Sequence, residues 1–202
     1  MTTPSITIRP VRADELDTFF ALTLLVDLRV PADELPALKD TIAAVLRIEG
    51  GPFSHGSNHF LFAETADGTP VGSIHVGPPT WMLKGRIPPH ILRTLVHRVS
   101  NIDTLAVHPD HRRQGIAAQL LARAETDFRQ AGYRALTLRH AHDKKHFFTA
   151  HGYTSLPRLT LDLPPELFTS HEPGWRYAVK PLDHTVTLTS RRGHTALTGL
   201  LD

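Results

Sequence analysis

Residues 103–117 read DTLAVHPDHRRQGIA: a short apolar run, a His-Pro turn, a pair of arginines, then a glycine opening a helix-like stretch. Upstream, IDTLAV (102–107) has the composition of a buried strand. Downstream, Ile116, Leu120, Leu121, Ala124 and Phe128 recur at helical spacing until Gly132. The segment is therefore strand, loop, helix. A helix start exposes unpaired backbone N–H groups and about half a positive charge, which suits an anion. Gly115 lets the backbone approach that anion with no Cβ in the way, and Ala117 keeps the first turn slim. Arg112 and Arg113 add charge and fork-shaped donors matched to phosphate. The reading is a seat for a phosphate or diphosphate; the plain alternative is a solvated arginine pair beside a helix entry. Neither Gly-x-x-x-x-Gly-Lys-Ser/Thr nor Gly-x-Gly-x-x-Gly occurs, which excludes a P-loop and a dinucleotide fingerprint.

The rest of the chain supplies a mixed α+β frame. Ile6–Arg9 alternates up to Pro10 as a first strand, and Asp14 offers an N-cap to a helix with Leu16, Phe19, Phe20 and Leu24 on one side. Asp33 offers a cap to a second helix carrying Leu38, Ile42, Val45 and Leu46, stopped by Gly50-Gly51-Pro52. HFLFAE (59–64), ADG (66–68) and PVGSIHV (70–76) read as a β-hairpin. Residues 77–89 read as a loop, 90–99 as a short helix, 134–139 as a strand, and 143–151 as a helix capped by Asp143 and ended by Gly152. Beyond Tyr153 the chain reads as extended, with a Pro-rich loop at 157–174 and a strand in WRYAVKPL (175–182). The tail either forms a hairpin about Arg192-Gly193 or is loosely ordered. The expected fold is α+β, with one mixed, mostly antiparallel sheet flanked by helices.

With these segments in hand, the chain resembles the GNAT superfamily of acyl-CoA-dependent N-acyltransferases. RRQGIA (112–117) matches that family's Arg/Gln-x-x-Gly-x-Gly/Ala signature. ITIRPVRADEL (6–16), DGTPVGSIHV (67–76) and WRYAVKPL (175–182) resemble its opening strand and helix, its second hairpin and its closing strand. The resemblance spans about residues 5–182. It implies a GNAT domain over 1–182 with a C-terminal extension at 183–202, and a central strand (102–107) splayed from its parallel neighbour (134–139). It also implies acetyl-CoA as donor. Its pantetheine arm would pair with backbone near Leu105, Ala106 and Val107, and its diphosphate would rest on Arg112, Arg113, Gln114, Gly115, Ile116, Ala117 and Ala118.

Acyl transfer to an amine needs a neutral amine, a polarised carbonyl and a proton for the departing thiolate. The chain has no cysteine, so an acyl-cysteine relay and disulfides are excluded, and direct attack in a ternary complex is the simpler route. Asp103 stands where family members with a central-strand carboxylate base carry it. An ordinary Asp pKa of about 3.9 is low for a base at neutral pH, so Asp103 acts after burial, through water, by orienting a cation, or only structurally. His75, with an intrinsic pKa near 6.5, is the alternative base or a half-buried strand histidine. KKHFFTAHGY (144–153) departs from the family's Phe-Tyr-x-x-x-Gly-Phe ending: Phe148 stands where a Tyr commonly protonates the thiol, and Ala141 where an Asn is common. His151, Tyr153 and water are the substitutes for the general acid. The departure also feeds a rival reading, a GNAT fold that binds acyl-CoA without catalysis.

The acceptor is expected to be a small-molecule or peptide amine, near Asp14, Glu15, Asp17, Asp27, Asp33 and Glu34, with Trp81, Trp175 and the 157–174 loop as an apolar wall. The 14 histidines include His140, His142, His146, His108 and His111, but no further ligand completes a closed metal site, and none is expected. The formal net charge is only +2, and HPDHRR and TSRRGH lack interleaved aromatics, so no nucleic-acid partner is expected. No run approaches membrane-spanning length and the start lacks a signal-type apolar stretch; a cytoplasmic, membrane-free protein is expected. A homodimer in which the tail donates a strand is the remaining expectation.

Overall fold

The computed structural model describes residues 5–85 and 87–201; Arg86 of the expected 77–89 loop lies outside the described residues, as do residues 1–4 and 202. The chain divides into two compact units, residues 1–77 with 103–124, and residues 78–102 with 125–202.

The first unit begins with β1 (Thr7–Pro10), antiparallel to β2 (His59–Glu64), which pairs in turn with β3 (Pro70–Gly77). Every residue of β2 up to Ala63 is buried, which explains its continuous apolar run in place of alternation. Phe60 and Phe62 pack with Phe19, Leu22, Ile42 and Leu46, supplied by α1 (Leu16–Thr23) and α2 (Leu35–Leu46). Full burial of each such side chain contributes about 1.5–3 kcal/mol. Leu24 was expected on this apolar side, but α1 ends at Thr23 and Leu24 is 45% exposed. Neither helix has the side-chain cap expected of Asp14 or Asp33: each is entered through a 3-10 turn, Ala13–Glu15 or Ala32–Glu34. At the first turn the Glu15 carboxylate takes over, accepting from the Arg12 N–H at 2.9 Å. Glu15 also holds Arg9 at 2.6 Å, and Arg9 is shared with Glu64, so one guanidinium ties β1, the 3-10 turn and β2.

The second unit contains the start of β4 (Val99–Val107), parallel to β5 (Ala135–His140) from Val99↔Ala135 to Ile102↔Leu138. β5 pairs antiparallel with β9 (Arg176–Pro181), which pairs with β6 (Thr154–Leu156). The parallel pair and the mixed sheet are as expected. The expected loop at 157–174 is instead largely a hairpin, β7 (Leu159–Leu163) and β8 (Glu166–Ser170), whose Leu159, Leu161 and Leu163 are buried. Pro164 and Pro165 fall at the turn and Pro157 and Pro173 outside the hairpin, which leaves the strands free to pair. The tail forms the hairpin β10 (Thr187–Arg191) and β11 (His194–Thr198) about Arg192 and Gly193, at φ 48° and 78°. β11 runs parallel to β7, and Val186, Leu197 and Leu200 join the same buried cluster as Leu159 and Tyr177. Within the expected 77–89 loop, Thr80–Lys84 is a 3-10 helix. The helix expected at 90–99 is α3 (Pro89–Leu95), with strand from Val99. α5 (Lys145–Ala150) follows a 3-10 turn, and Asp143, expected to cap it, pairs with Lys144 instead. No helix among the described residues is long and apolar enough to cross a membrane.

Candidate active site

The carboxyl end of β4 leads directly into α4 (Ile116–Gln130), both within the first unit up to Ala124. Ala106 is buried, and Leu105 and Val107 are half-buried. The turn is fixed at both sides: His108 N–H donates to the Val71 carbonyl at 2.8 Å, and Arg112 Nε donates back to the Val107 carbonyl at 3.0 Å. Arg113 and Gly115 then adopt left-handed φ of 64° and 77°. A Cβ at Gly115 would meet nothing within 4 Å, so the glycine answers the backbone conformation, and the space before it is open. The first helical bond returns from Gln119 N–H to the Gly115 carbonyl at 3.1 Å. The amides of Ile116, Ala117 and Ala118 precede it and have no intrahelical acceptor. Gln114, between the two left-handed residues, has its buried Oε1 without a hydrogen-bond partner among the described residues.

His75 and Asp103 come together in the same unit. His75 Nδ1 is 3.4 Å from Asp103 Oδ2, and its Nε2 is 3.1 Å from Asn58 Oδ1. The ring lies flat on Phe60, centroids 4.1 Å apart and planes 3° apart, and His55 meets Phe60 edge-on. Burial lowers the His75 pKa; the Asp103 carboxylate opposes this and His55 adds to it. A neutral imidazole has one N–H to give, while both of its nitrogens here face an oxygen. With Nε2–H donated to Asn58 Oδ1, Nδ1 turns its lone pair toward Asp103, and a proton arriving at Nδ1 would be held by that carboxylate. Gly77 borders this group: a Cβ there would sit 2.5 Å from Asn58 Oδ1, 3.1 Å from His75 Nε2 and 3.4 Å from Asp103 Oδ2.

Asn58 was missed by sequence reasoning. Its only signal is the β2–β3 register, which places His59 opposite Val76 and so Asn58 near Gly77. A register shift at Ala63/Glu64 intervenes between that pair and the turn, and nothing in the local sequence announces it.

His151 and Tyr153 belong to the second unit. His151 Nδ1–H donates to the Phe147 carbonyl at 2.7 Å, which fixes the tautomer and makes Nε2 an acceptor in the neutral ring. Tyr153 is 2% exposed, and burial, followed by the charge of Glu125, holds its proton more tightly than usual. Lys180 neutralises Glu125 at 2.6 Å and lies 5.4 Å from the Tyr153 ring centre. Phe148 packs edge-on against Tyr153 and Phe147. Trp81, expected on an open wall, is a core residue stacked on Phe168 of β8, because the 157–174 segment folds as a hairpin. Trp175 is half-buried beside Arg139. Of the expected acids, Glu15 is engaged by Arg9, while Asp17 pairs with Lys39. Among the described residues no three His, Asp or Glu side chains are arranged to hold a metal ion.

The family model described as Acetyltransferase (GNAT) family matches residues 25–153. No curated protein matches the chain. Among solved structures, a GNAT-family acetyltransferase from Staphylococcus aureus Mu50 is similar at 14% identity and TM-score 0.60, covering 89% of this chain and 100% of that one. PaiA N-acetyltransferase from Thermoplasma acidophilum, in complex with coenzyme A, is similar at 15% identity and TM-score 0.60, covering 88% and 99%. Spermidine/spermine N-acetyltransferase SpeG from Vibrio cholerae, in complex with manganese ions, is similar at 15% identity and TM-score 0.56, covering 88% and 92%. The strand, left-handed turn and helix start at 103–118 lie inside the matched segment, and the chain belongs to the GNAT acetyltransferase family.

Proposed function

We propose that this protein is an N-acetyltransferase that moves an acetyl group from acetyl-CoA to a primary amine by direct attack in a ternary complex. One observation carries the reading. The end of β4 turns through left-handed Arg113 and Gly115, with open space beside the Gly115 Cα, into amides that have no intrahelical acceptor and that follow two arginines. The residues fit the coenzyme: N–H groups and guanidinium forks match diphosphate oxygens, and the backbone of Leu105, Ala106 and Val107 offers the edge a pantetheine amide pairs with. The coenzyme supplies the thioester. The chain's part is to seat the diphosphate, keep the acceptor amine neutral and release the thiol.

The amine arrives as ammonium and must lose a proton before it attacks. In this reading Asp103 attracts the cation and His75, kept neutral by burial, takes the proton. The thiolate then takes its proton from water; His151, whose one hydrogen in the neutral ring is held on Nδ1 by the Phe147 carbonyl, and the buried, tightly protonated Tyr153 are the weaker donors. The acceptor class is a small-molecule or peptide amine, and SpeG, named for spermidine and spermine, makes polyamines the first acceptors to try. Cytoplasmic residence and a homodimer belong to the same proposal. Phe148, with no proton to give, favours a second reading, a fold that binds acyl-CoA without turning it over.

Titration calorimetry with acetyl-CoA tests the seat. The wild type binds, whereas Arg112→Glu with Arg113→Glu, or Gly115→Trp alone, abolishes binding; unchanged affinity refutes the assignment. A CoA-release assay with mixed amines separates the enzyme from the silent binder.

A further inference from the structure

The end of β5 carries a hydrogen-bond chain that the proposed transfer does not use. His140 is 3% exposed. Its Nδ1 is 2.7 Å from the Ala141 carbonyl and its Nε2 is 2.9 Å from Ser155 Oγ. A carbonyl only accepts, so Nδ1 must carry the hydrogen. Burial lowers the pKa of the ring and so favours its neutral form, aided by the Arg176 guanidinium and opposed by the Ala141 carbonyl and Asp143. Nε2 is then a bare lone pair, and the Ser155 hydroxyl must donate to it. On the other side of that hydroxyl, Arg176 Nε–H donates to Ser155 Oγ at 2.9 Å, and a second Arg176 nitrogen donates to the Ser155 carbonyl at 3.2 Å. The strands impose this arrangement: His140 on β5 pairs with Arg176 on β9, and Ser155 on β6 pairs with Ala178 of β9. Solvent reaches Ser155 and Arg176, which are half-buried, while the imidazole behind them stays dry.

The result has the parts of an activated nucleophile: a hydroxyl, a base within reach, a fixed tautomer and a cation to favour the alkoxide. We propose that Ser155 is a second reactive centre, a nucleophile that accepts an acyl group from small activated esters and thioesters, with His140 as base and Arg176 as charge stabiliser. In the step, the Oγ–H proton passes to His140 Nε2 as Oγ bonds to the carbonyl carbon. The bond from that carbon to the leaving oxygen or sulfur then breaks. The leaving group takes the proton back from His140, giving acyl-serine and a free alcohol or thiol. Water then attacks the ester carbon and gives a proton to His140; as the bond from that carbon to Oγ breaks, His140 passes the proton to Oγ, returning the serine and a carboxylic acid.

The test uses p-nitrophenyl acetate with the full-length protein, acid-quenched and analysed by intact mass and peptide mapping. Expected is one acetyl group on Ser155 with a matching burst of p-nitrophenolate. His140→Gln, which cannot accept the proton, slows the burst at least about 100-fold, and Ser155→Ala abolishes it. Thermal unfolding of both variants establishes that they fold. Mapping on the wild type decides even if a variant does not fold: acetylation elsewhere, or none, overturns the proposal. So does a folded His140→Gln that reacts at the wild-type rate. The ester carries no coenzyme A, so this result is independent of the acyl-CoA reading, whose own failure would appear in the calorimetry.

Discussion

Replacing Gly77 by alanine probes the site proposed to take the acceptor's proton, with one methyl group. The new Cβ would lie 2.5 Å from Asn58 Oδ1, where ordinary contact begins at 3.4 Å, so Asn58 must retreat by about 0.9 Å. Gly77 does not adopt a left-handed φ, so alanine brings no backbone penalty there. The retreat breaks the 3.1 Å contact between Asn58 and His75. A lost neutral hydrogen bond costs about 1 kcal/mol, and alanine for glycine returns about 0.5–1 kcal/mol through the unfolded state. Net stability should hardly change. Catalysis should: misplacing a reacting group by about 1 Å costs on the order of 100-fold in rate, or about 2.7 kcal/mol of transition-state stabilisation. The assay is kcat/KM for CoA release with polyamine acceptors at saturating acetyl-CoA, with the melting temperature measured alongside. The imidazole nitrogen signals of His75 should move in NMR whether or not an acceptor is found. In the Asn58→Ala background, where the clash is gone, Gly77→Ala should add little further loss. Full activity of Gly77→Ala with unmoved His75 signals would refute the reasoning.

Stability should fall on mild acidification. Burial lowers the pKa of His55, His75 and His140 below 6.5, so the unfolded chain binds more protons; the stabilisation is fully present above pH 6.5 and is lost as pH falls toward the folded values. Urea unfolding between pH 7.5 and 5.5 should show a loss approaching about 1.4 kcal/mol per pH unit for each proton taken up, and His55→Leu should flatten the slope. Lys180→Met should cost about 3–5 kcal/mol in the same assay, because it strands the buried Glu125 carboxylate. Glu125→Gln with Lys180→Met should recover most of that loss. Phe148→Tyr supplies a hydroxyl at the position where the family resemblance implies a proton donor, and should raise turnover if thiol protonation limits the rate; a lowered turnover, with folding intact, would refute that account.

The sequence by itself determined the family and the strand, turn and helix start on which the anion seat is proposed. Both are written locally: apolar periodicity switches from strand to helix across Gly115, and the chemistry of a helix start does not depend on what packs elsewhere. The helix stripe Ile116, Leu120, Leu121, Ala124 and Phe128 is buried as its spacing demanded, and HFLFAE occupies the whole of β2. The caps were misread because an aspartate near a helix start competes with neighbours; Glu15 reaches the Arg12 amide and Asp143 finds Lys144. The 157–174 segment looked like loop because prolines recur at 157, 164, 165 and 173, while its first strand is held on one side by β11, a partner distant in sequence. Only the tertiary structure decided that Asn58, His75 and Asp103 meet at Gly77, and that Ser155 joins His140 and Arg176. These groups form across strand registers, and a register depends on bulges and on long-range pairing that no short stretch of residues encodes.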